Sequence, residues 1–97
     1  MTSKVSVVAI FNLKEGKEAQ FLEGAAPLVA ESRKEKGCIF YDLHKDAENP
    51  NKYFMLEEWE SMELLKIHGS SPHVSAVGKA WEGVLEDKAV YKMTKKI

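Results

Sequence analysis

The sequence predicts one α+β domain with a ferredoxin-like split βαββαβ order, an antiparallel sheet with helices on one face. Three observations carry this prediction. Four segments are rich in β-branched and aromatic residues or alternate between apolar and polar ones, which favours strands. The segments between them carry apolar residues at helical spacing. Because the 97-residue chain shows no repeat or linker, we place a single domain over residues 1–97.

The first strand and first helix are predicted over residues 5–13 and 18–36. Both faces of the strand are largely apolar, so both need cover. The helix has an apolar stripe, formed by Phe21, Leu22, Ala25, Ala26 and Val29. Pro27 lies inside it and lacks a backbone donor, which predicts a kink or a break. The charged run 31–36 is predicted as solvated last turns that end at Gly37.

The second and third strands are predicted as an antiparallel hairpin. Residues 38–45 and 53–59 alternate between two faces, and the polar segment 46–51 joins them. In the third strand one face carries Tyr53, Met55, Glu57 and Trp59.

The last third of the chain predicts two short helices and a closing strand. Ser61 suits the N-cap of a helix that runs through His68. Ser71 and Pro72 suit the start of a second helix, which reaches about Trp81. Residues 85–93 supply the last strand, with Leu85, Ala89, Tyr91 and Met93 on one side.

The helices would cover one face of this sheet and leave the other face apolar and uncovered. A second copy packed sheet against sheet is the simplest cover, and it would close a cavity between or beneath the sheets. The pattern therefore predicts a homodimer.

Composition and charge exclude several classes of function. The 14 basic and 15 acidic residues give a net charge of −1, so we expect no nucleic-acid and no membrane partner. The longest apolar run, residues 7–11, is far shorter than the roughly 20 residues that cross a bilayer. No signal-peptide layout opens the chain, and the lone Cys38 cannot form an internal disulfide. We therefore expect a reduced, cytoplasmic setting.

Three histidines and one glutamate are the candidates for chemistry. His68 and His73 flank the loop between the short helices, where each could serve chemistry or only hydrogen-bond a neighbouring loop carbonyl. The positive end of a helix disfavours protonation of His73, which favours a neutral imidazole that can accept a proton. His44 lies in a strand, where a pocket position and an exposed edge position are equally open. Glu57 lies mid-strand among apolar residues, where it could orient a histidine, bind a hydroxyl or pair with a lysine.

Two further residues and several missing motifs bear on the kind of site that the sequence predicts. Asn12, at the end of the first strand, suits either a ligand oxygen or a turn. Trp59 is first of all a core aromatic. No phosphate loop, dinucleotide fingerprint or nucleophile elbow is present. The spacing of His68 and His73 crosses a glycine and a proline, unlike a helical metal pair, so we predict no metal.

Taken together, several stretches resemble the antibiotic biosynthesis monooxygenase family. They span nearly the whole chain in the family's order: Val7-Val8-Ala9, Glu15-Gly16-Lys17-Glu18, Gly37 to Asp46, Glu48-Asn49-Pro50, Glu57-Glu58-Trp59-Glu60-Ser61, Leu65, and His68 through Ser71-Pro72-His73. The resemblance implies a dimeric α/β-barrel. It also implies a small quinol or anthrone monooxygenase that uses dioxygen and needs neither metal nor organic cofactor.

In that chemistry a base removes a phenolic proton, and the anion passes an electron to dioxygen. Recombination gives a peroxy species that collapses to the quinone with loss of water. The protein needs an apolar cavity, a neutral imidazole and hydrogen-bond partners for oxygen atoms. By position, the candidates are His68, His73 and Glu57 for catalysis, and Asn12, Tyr41, His44 and Trp59 for substrate binding. The choice of base between the two catalytic histidines stays open.

Other branches of the family offer alternatives. Haem-degrading members carry a tryptophan at the position of His68 and their haem ligand at that of Gly78, so the chain departs from them. Relatives that isomerise or bind phosphorylated signalling sugars keep a similar histidine-containing stretch, but the sequence shows no obvious basic cluster for a phosphate. A ligand-binding stress or signalling module without turnover is the remaining alternative.

Overall fold

The computed structural model describes residues 3–97. Its elements are β1 (Val5–Leu13), α1 (Glu18–Arg33), β2 (Cys38–Lys45), β3 (Lys52–Trp59), α2 (Met62–Gly69), α3 (Pro72–Ala80) and β4 (Leu85–Met93). The four strands form one antiparallel sheet in the order β2-β3-β1-β4. The predicted α+β, ferredoxin-like architecture is confirmed.

Helix α1 differs from the prediction at two points. It continues through the exposed Pro27, so the break, one of the two alternatives predicted there, does not occur, and it ends at Arg33, three residues before the predicted end. Tight turns follow, in which the backbone N–H of Glu35 donates to the carbonyl of Ser32. Gly37 then takes a φ of +87°, a conformation that glycine adopts most easily. Glu35 therefore lies in a turn and not on a solvated helix face.

The core lies on the helix-facing side of the sheet. Alternate residues of β1 pair with alternate residues of β3 there, and all eight are buried: Val5, Val7, Ala9 and Phe11 opposite Trp59, Glu57, Met55 and Tyr53. Phe21 of α1 stacks on Trp81 with ring centroids 4.6 Å apart, and both rings contact Phe11. This aromatic cluster holds α1 and α3 against the sheet.

The opposite side of the sheet, here called the open face, carries no helix. Its apolar side chains belong to all four strands and include Phe40, Leu56, Tyr91 and Met93, each more than a third exposed. The sequence pattern is right that this face is apolar and uncovered. In residues 3–97 no helix combines the length and apolarity needed to cross a membrane.

Candidate functional site

A cavity of about 430 Å³ lies between the sheet and helices α2 and α3. Its walls are mainly apolar and include Val7, Ala9, Met55, Leu65, Val77 and Trp81. Of the two predicted locations, between the sheets or beneath them, this cavity occupies the second, because it forms on the helix side within one chain. The apolar side chains that line it are the inward-facing residues of β1 and β3 and the inward side of the helices.

His68 is the imidazole on the cavity wall. It lies in the last turn of α2, a helix capped at its start by Ser61, and the His68 carbonyl accepts a 2.6 Å hydrogen bond from the Ser71 hydroxyl. Its ring packs 4.6 Å from that of Trp59 and 5.3 Å from that of Tyr41, measured between centroids. These contacts fix the ring, which is only 7% exposed.

The two ring nitrogens of His68 have different surroundings. Nδ1 lies 2.5 Å from Oε2 of Glu35, whose side chain is itself only 15% exposed. Within residues 3–97, Nε2 has no protein partner. A carboxylate on Nδ1 favours the tautomer in which Nδ1 carries the proton and Nε2 holds a free lone pair. The pair thus presents a fixed proton acceptor to the cavity.

His73 joins the same carboxylate from the other side. It is the second residue of α3, and its Nε2 lies 3.1 Å from Oε2 of Glu35. Its ring borders a separate groove between α1 and α3, and it does not line the cavity that His68 lines. The structure brings both predicted histidines together, but it gives them different positions relative to the cavity.

Glu57 lies on the cavity floor, where β3 crosses it. The indole Nε1 of Trp59 donates a 2.9 Å hydrogen bond to Oε1 of Glu57. Burial raises the pKa of the Glu57 carboxyl above 4.5, against the opposing effects of the Trp59 hydrogen bond and of His68. The carboxyl group therefore holds a proton more readily than an exposed glutamate does.

Tyr41 and Trp59 are both buried beside the catalytic candidates. Tyr41 lines the cavity, and burial, with a smaller effect of Glu57, raises the pKa of its hydroxyl. It is therefore a hydrogen-bond donor across the neutral range. Trp59 is fully enclosed behind Glu57 and His68 and supports them from outside the cavity lining.

The remaining predicted binding residues, Asn12 and His44, lie on the open face, away from the cavity. The Asn12 side chain donates a 2.7 Å hydrogen bond to Asp87 on the neighbouring strand β4. His44 is exposed on β2, opposite Phe54 of β3. Strand alternation accounts for both positions, because each residue is one place out of phase with an inward-facing neighbour.

Four residues of the site escape the sequence analysis. Glu35 is assigned there to a solvated helix end, and only the early end of α1 turns it inward. Lys66, Lys88 and Lys92 line the cavity, which corrects the expectation that no basic cluster is present. Lys88 and Lys92 lie on the side of β4 opposite Ala89, Tyr91 and Met93, and only the register with β1 shows that this side faces the cavity.

The possible metal-ligating atoms of Glu35, His68 and His73, two ring nitrogens and a carboxylate oxygen, lie within 4.8 Å of one another. That is close enough to hold a metal ion. Imidazole nitrogen and carboxylate oxygen are ordinary ligands of zinc. In this arrangement the carboxylate is already hydrogen-bonded to both imidazoles, so the cluster is satisfied without an ion. The absence of a metal and of a cofactor stays a prediction.

Comparison with known proteins places the chain among relatives. The family model described as "Antibiotic biosynthesis monooxygenase" matches residues 4–80. A Bacillus subtilis (strain 168) protein, "Putative monooxygenase YcnE", is 35% identical over 65 residues, which cover 67% of this chain and 68% of that protein. A conserved Methanosarcina mazei Go1 protein of known structure is 30% identical with a TM-score of 0.92, covering 98% of this chain and 95% of that one. A "putative antibiotic biosynthesis monooxygenase" from Caulobacter crescentus CB15 is 26% identical with a TM-score of 0.91, covering 99% and 92%.

Proposed function

Because the chain belongs to the antibiotic biosynthesis monooxygenase family, we propose that it is a cofactor-independent monooxygenase that oxidises a small aromatic quinol or anthrone with dioxygen. The observation that carries the proposal is a buried His68, oriented by Glu35, on the wall of an apolar cavity. The cavity volume of about 430 Å³ is in the range of small-molecule sites.

The first step is removal of a phenolic proton by Nε2 of His68. A phenol with a pKa near 10 and an imidazole near 6.5 differ by about 3.5 units, or roughly 5 kcal/mol against transfer. Glu35 reduces this cost because its carboxylate stabilises the imidazolium through Nδ1. The Tyr41 hydroxyl and the Glu57 carboxyl, whose pKa is raised by burial, are the groups we propose as hydrogen-bond donors to the phenolate oxygen. His68 is therefore the base, and Glu35 positions it.

The next steps transfer electrons from the substrate anion to dioxygen. One electron passes to dioxygen, and the resulting radical pair forms a carbon–oxygen bond. The oxygen–oxygen bond of the peroxide then breaks. One oxygen stays on the carbon as the new carbonyl, and the other leaves as water, which carries away the hydrogen of that carbon and the proton that His68 accepted.

The open face supports a homodimer as part of this proposal. Apolar side chains from four strands are exposed there, and a self-complementary contact between two copies would bury them. The dimer would leave each cavity within its own chain, because the cavity lies on the other side of the sheet.

The test is oxygen uptake by chelator-treated protein with a panel of reduced quinols and anthrones. We expect uptake above the buffer rate and a quinone product that holds one atom from isotopically labelled dioxygen, detected by mass spectrometry. Uptake at the buffer rate across the panel would exclude the oxygenase. Uptake that disappears on chelation and returns with a metal would exclude the cofactor-independent mechanism. A melting temperature that rises with added ligand, with no product formed, would favour the alternative function, a ligand-binding module without turnover.

A further inference from the structure

The cavity carries positive charge at its rim that the chemistry at its floor does not use. Lys66 of α2 and Lys88 and Lys92 of β4 line the cavity and are exposed. None of the three belongs to an ion pair within residues 3–97. The one carboxylate on the described cavity wall is that of Glu57, which is buried.

The sheet register shows that the lysines of β4 belong to the cavity. Lys88 pairs with Phe11 of β1 and Lys92 pairs with Val7, both of which line the cavity. Val90 lies between the two lysines on the same side, so the row alternates cation, apolar residue, cation along about 13 Å of strand. Lys66 lines the same cavity from α2, two residues before His68.

This local charge contrasts with that of the whole chain. The chain has a net charge of −1, whereas three cations surround the mouth of one apolar cavity. A cleft with charges of one sign and low-dielectric walls attracts ligands of the opposite sign. Lysine also recognises an anion without the fixed geometry that arginine imposes.

We propose that the ligand of this cavity is an anionic aromatic, with its ring beside His68 and a carboxylate or phosphate group at Lys66, Lys88 and Lys92. The inference rests on the proposed function, since it names the substrate class of the same site. The apolar floor binds the ring, and the lysines select for the charged substituent.

The test compares each of two anionic aromatic ligands with a neutral counterpart. Isothermal titration calorimetry would measure the binding of gentisate, of its neutral amide, and of the phosphate monoester of hydroquinone beside hydroquinone itself. We expect the anionic member of each pair to bind about fivefold or more tightly, and added salt to reduce that preference. A larger preference in one pair identifies the carboxylate or the phosphate as the group recognised.

Lysine variants locate the effect. Each of Lys66→Gln, Lys88→Gln and Lys92→Gln should weaken gentisate binding about two- to fivefold, as for a partly exposed ion pair, and leave the amide unchanged. Lys79→Gln is the matched control, because Lys79 is exposed on α3, outside the cavity lining. Equal binding of gentisate and its amide, an equal loss in the Lys79 variant, or no binding of any probe would overturn the inference.

Failure of this inference and failure of the proposed function are distinguishable. A charge preference in calorimetry together with no oxygen uptake would retain the anion site and exclude the oxygenase. Oxygen uptake with neutral quinols together with no charge preference would retain the oxygenase and exclude the anion site. His68→Asn should lose turnover and keep the preference for the anionic ligand.

Discussion

Oε2 of Glu35 lies 2.5 Å from Nδ1 of His68, although 33 positions separate the two residues in the sequence. The contact joins the turn after α1 to the end of α2, and it fixes which nitrogen of His68 faces the cavity. A carboxylate that orients an imidazole in this way is a recurring arrangement for general bases. The first predictions test this pair.

Replacing His68 with asparagine should lower the oxidation rate by about 100- to 10,000-fold, the range of general-base contributions. The affinity for substrate should change little, because the cavity wall remains in place. Steady-state oxygen uptake measures the rate, and calorimetry measures the affinity. A His68→Asn protein that keeps the wild-type rate would show that another group removes the proton.

Replacing Glu35 with glutamine should lower kcat by about 10- to 100-fold, as for other partners that orient a functional histidine, with KM unchanged. His73→Asn should have a smaller effect, less than about tenfold, because His73 contacts Glu35 and does not line the cavity. A larger loss for His73→Asn than for His68→Asn would reverse the assignment of the base.

Glu57 should make stability depend on pH in a defined direction. Burial raises its pKa in the folded protein, so the folded state binds more protons than the unfolded state above pH 4.5. The free energy of unfolding should therefore fall as pH rises through the folded-state pKa. Glu57→Gln keeps an acceptor for Trp59 and should remove this dependence, with a gain in the free energy of unfolding that is larger at pH 8 than at pH 5. Urea titrations at the two pH values measure the difference.

The end of α1 shows why the fold is easier to predict from the sequence than the site. Alternation and helical spacing place all four strands and all three helices, because these patterns reflect burial on one face. The end of α1 is harder to predict, since Glu31 to Lys36 continue a helix well by composition. The tertiary contacts of Glu35 decide in favour of the turn, and no local pattern encodes them.

In the site, too, residues with a local sequence signal are found, and residues placed only by tertiary contacts are missed. Glu57 is found as a carboxylate among the apolar residues of a strand, the two histidines from their position beside a loop, and Tyr41 through the family resemblance. Asn12 illustrates the converse, since choosing it for its polar side chain ignored the phase of β1. Lys88 and Lys92 require the register of β4 against β1, and Lys66 requires knowledge of how α2 packs.

Gly24 should be the least replaceable glycine of the helices. A Cβ added there would lie 2.7 Å from Nε1 of Trp81, the atom that donates to the carbonyl of Phe21. Gly24→Ala should destabilise the protein by about 1–3 kcal/mol through overpacking. Gly78→Ala is the matched control in α3, where a Cβ meets nothing within 4 Å, and it should stabilise by up to about 1 kcal/mol. Equal thermal shifts in the two variants would contradict the close approach of α1 to Trp81.

The open face predicts the behaviour of the protein in solution. Leu56 and Tyr91 lie in one row of the sheet, with Val8 between them, so one charge placed there would disturb the centre of an apolar contact. We expect wild-type protein to sediment at twice the mass of the 10.9-kDa chain, and Leu56→Lys to sediment as a single chain. Ile67→Lys is the control, because Ile67 is 62% exposed on α2, away from the sheet. The Ile67→Lys variant should remain a dimer. Loss of the dimer in that variant would place the contact between copies on the helices. A wild-type protein that sediments as one chain across the micromolar range would show that the open face has no partner copy.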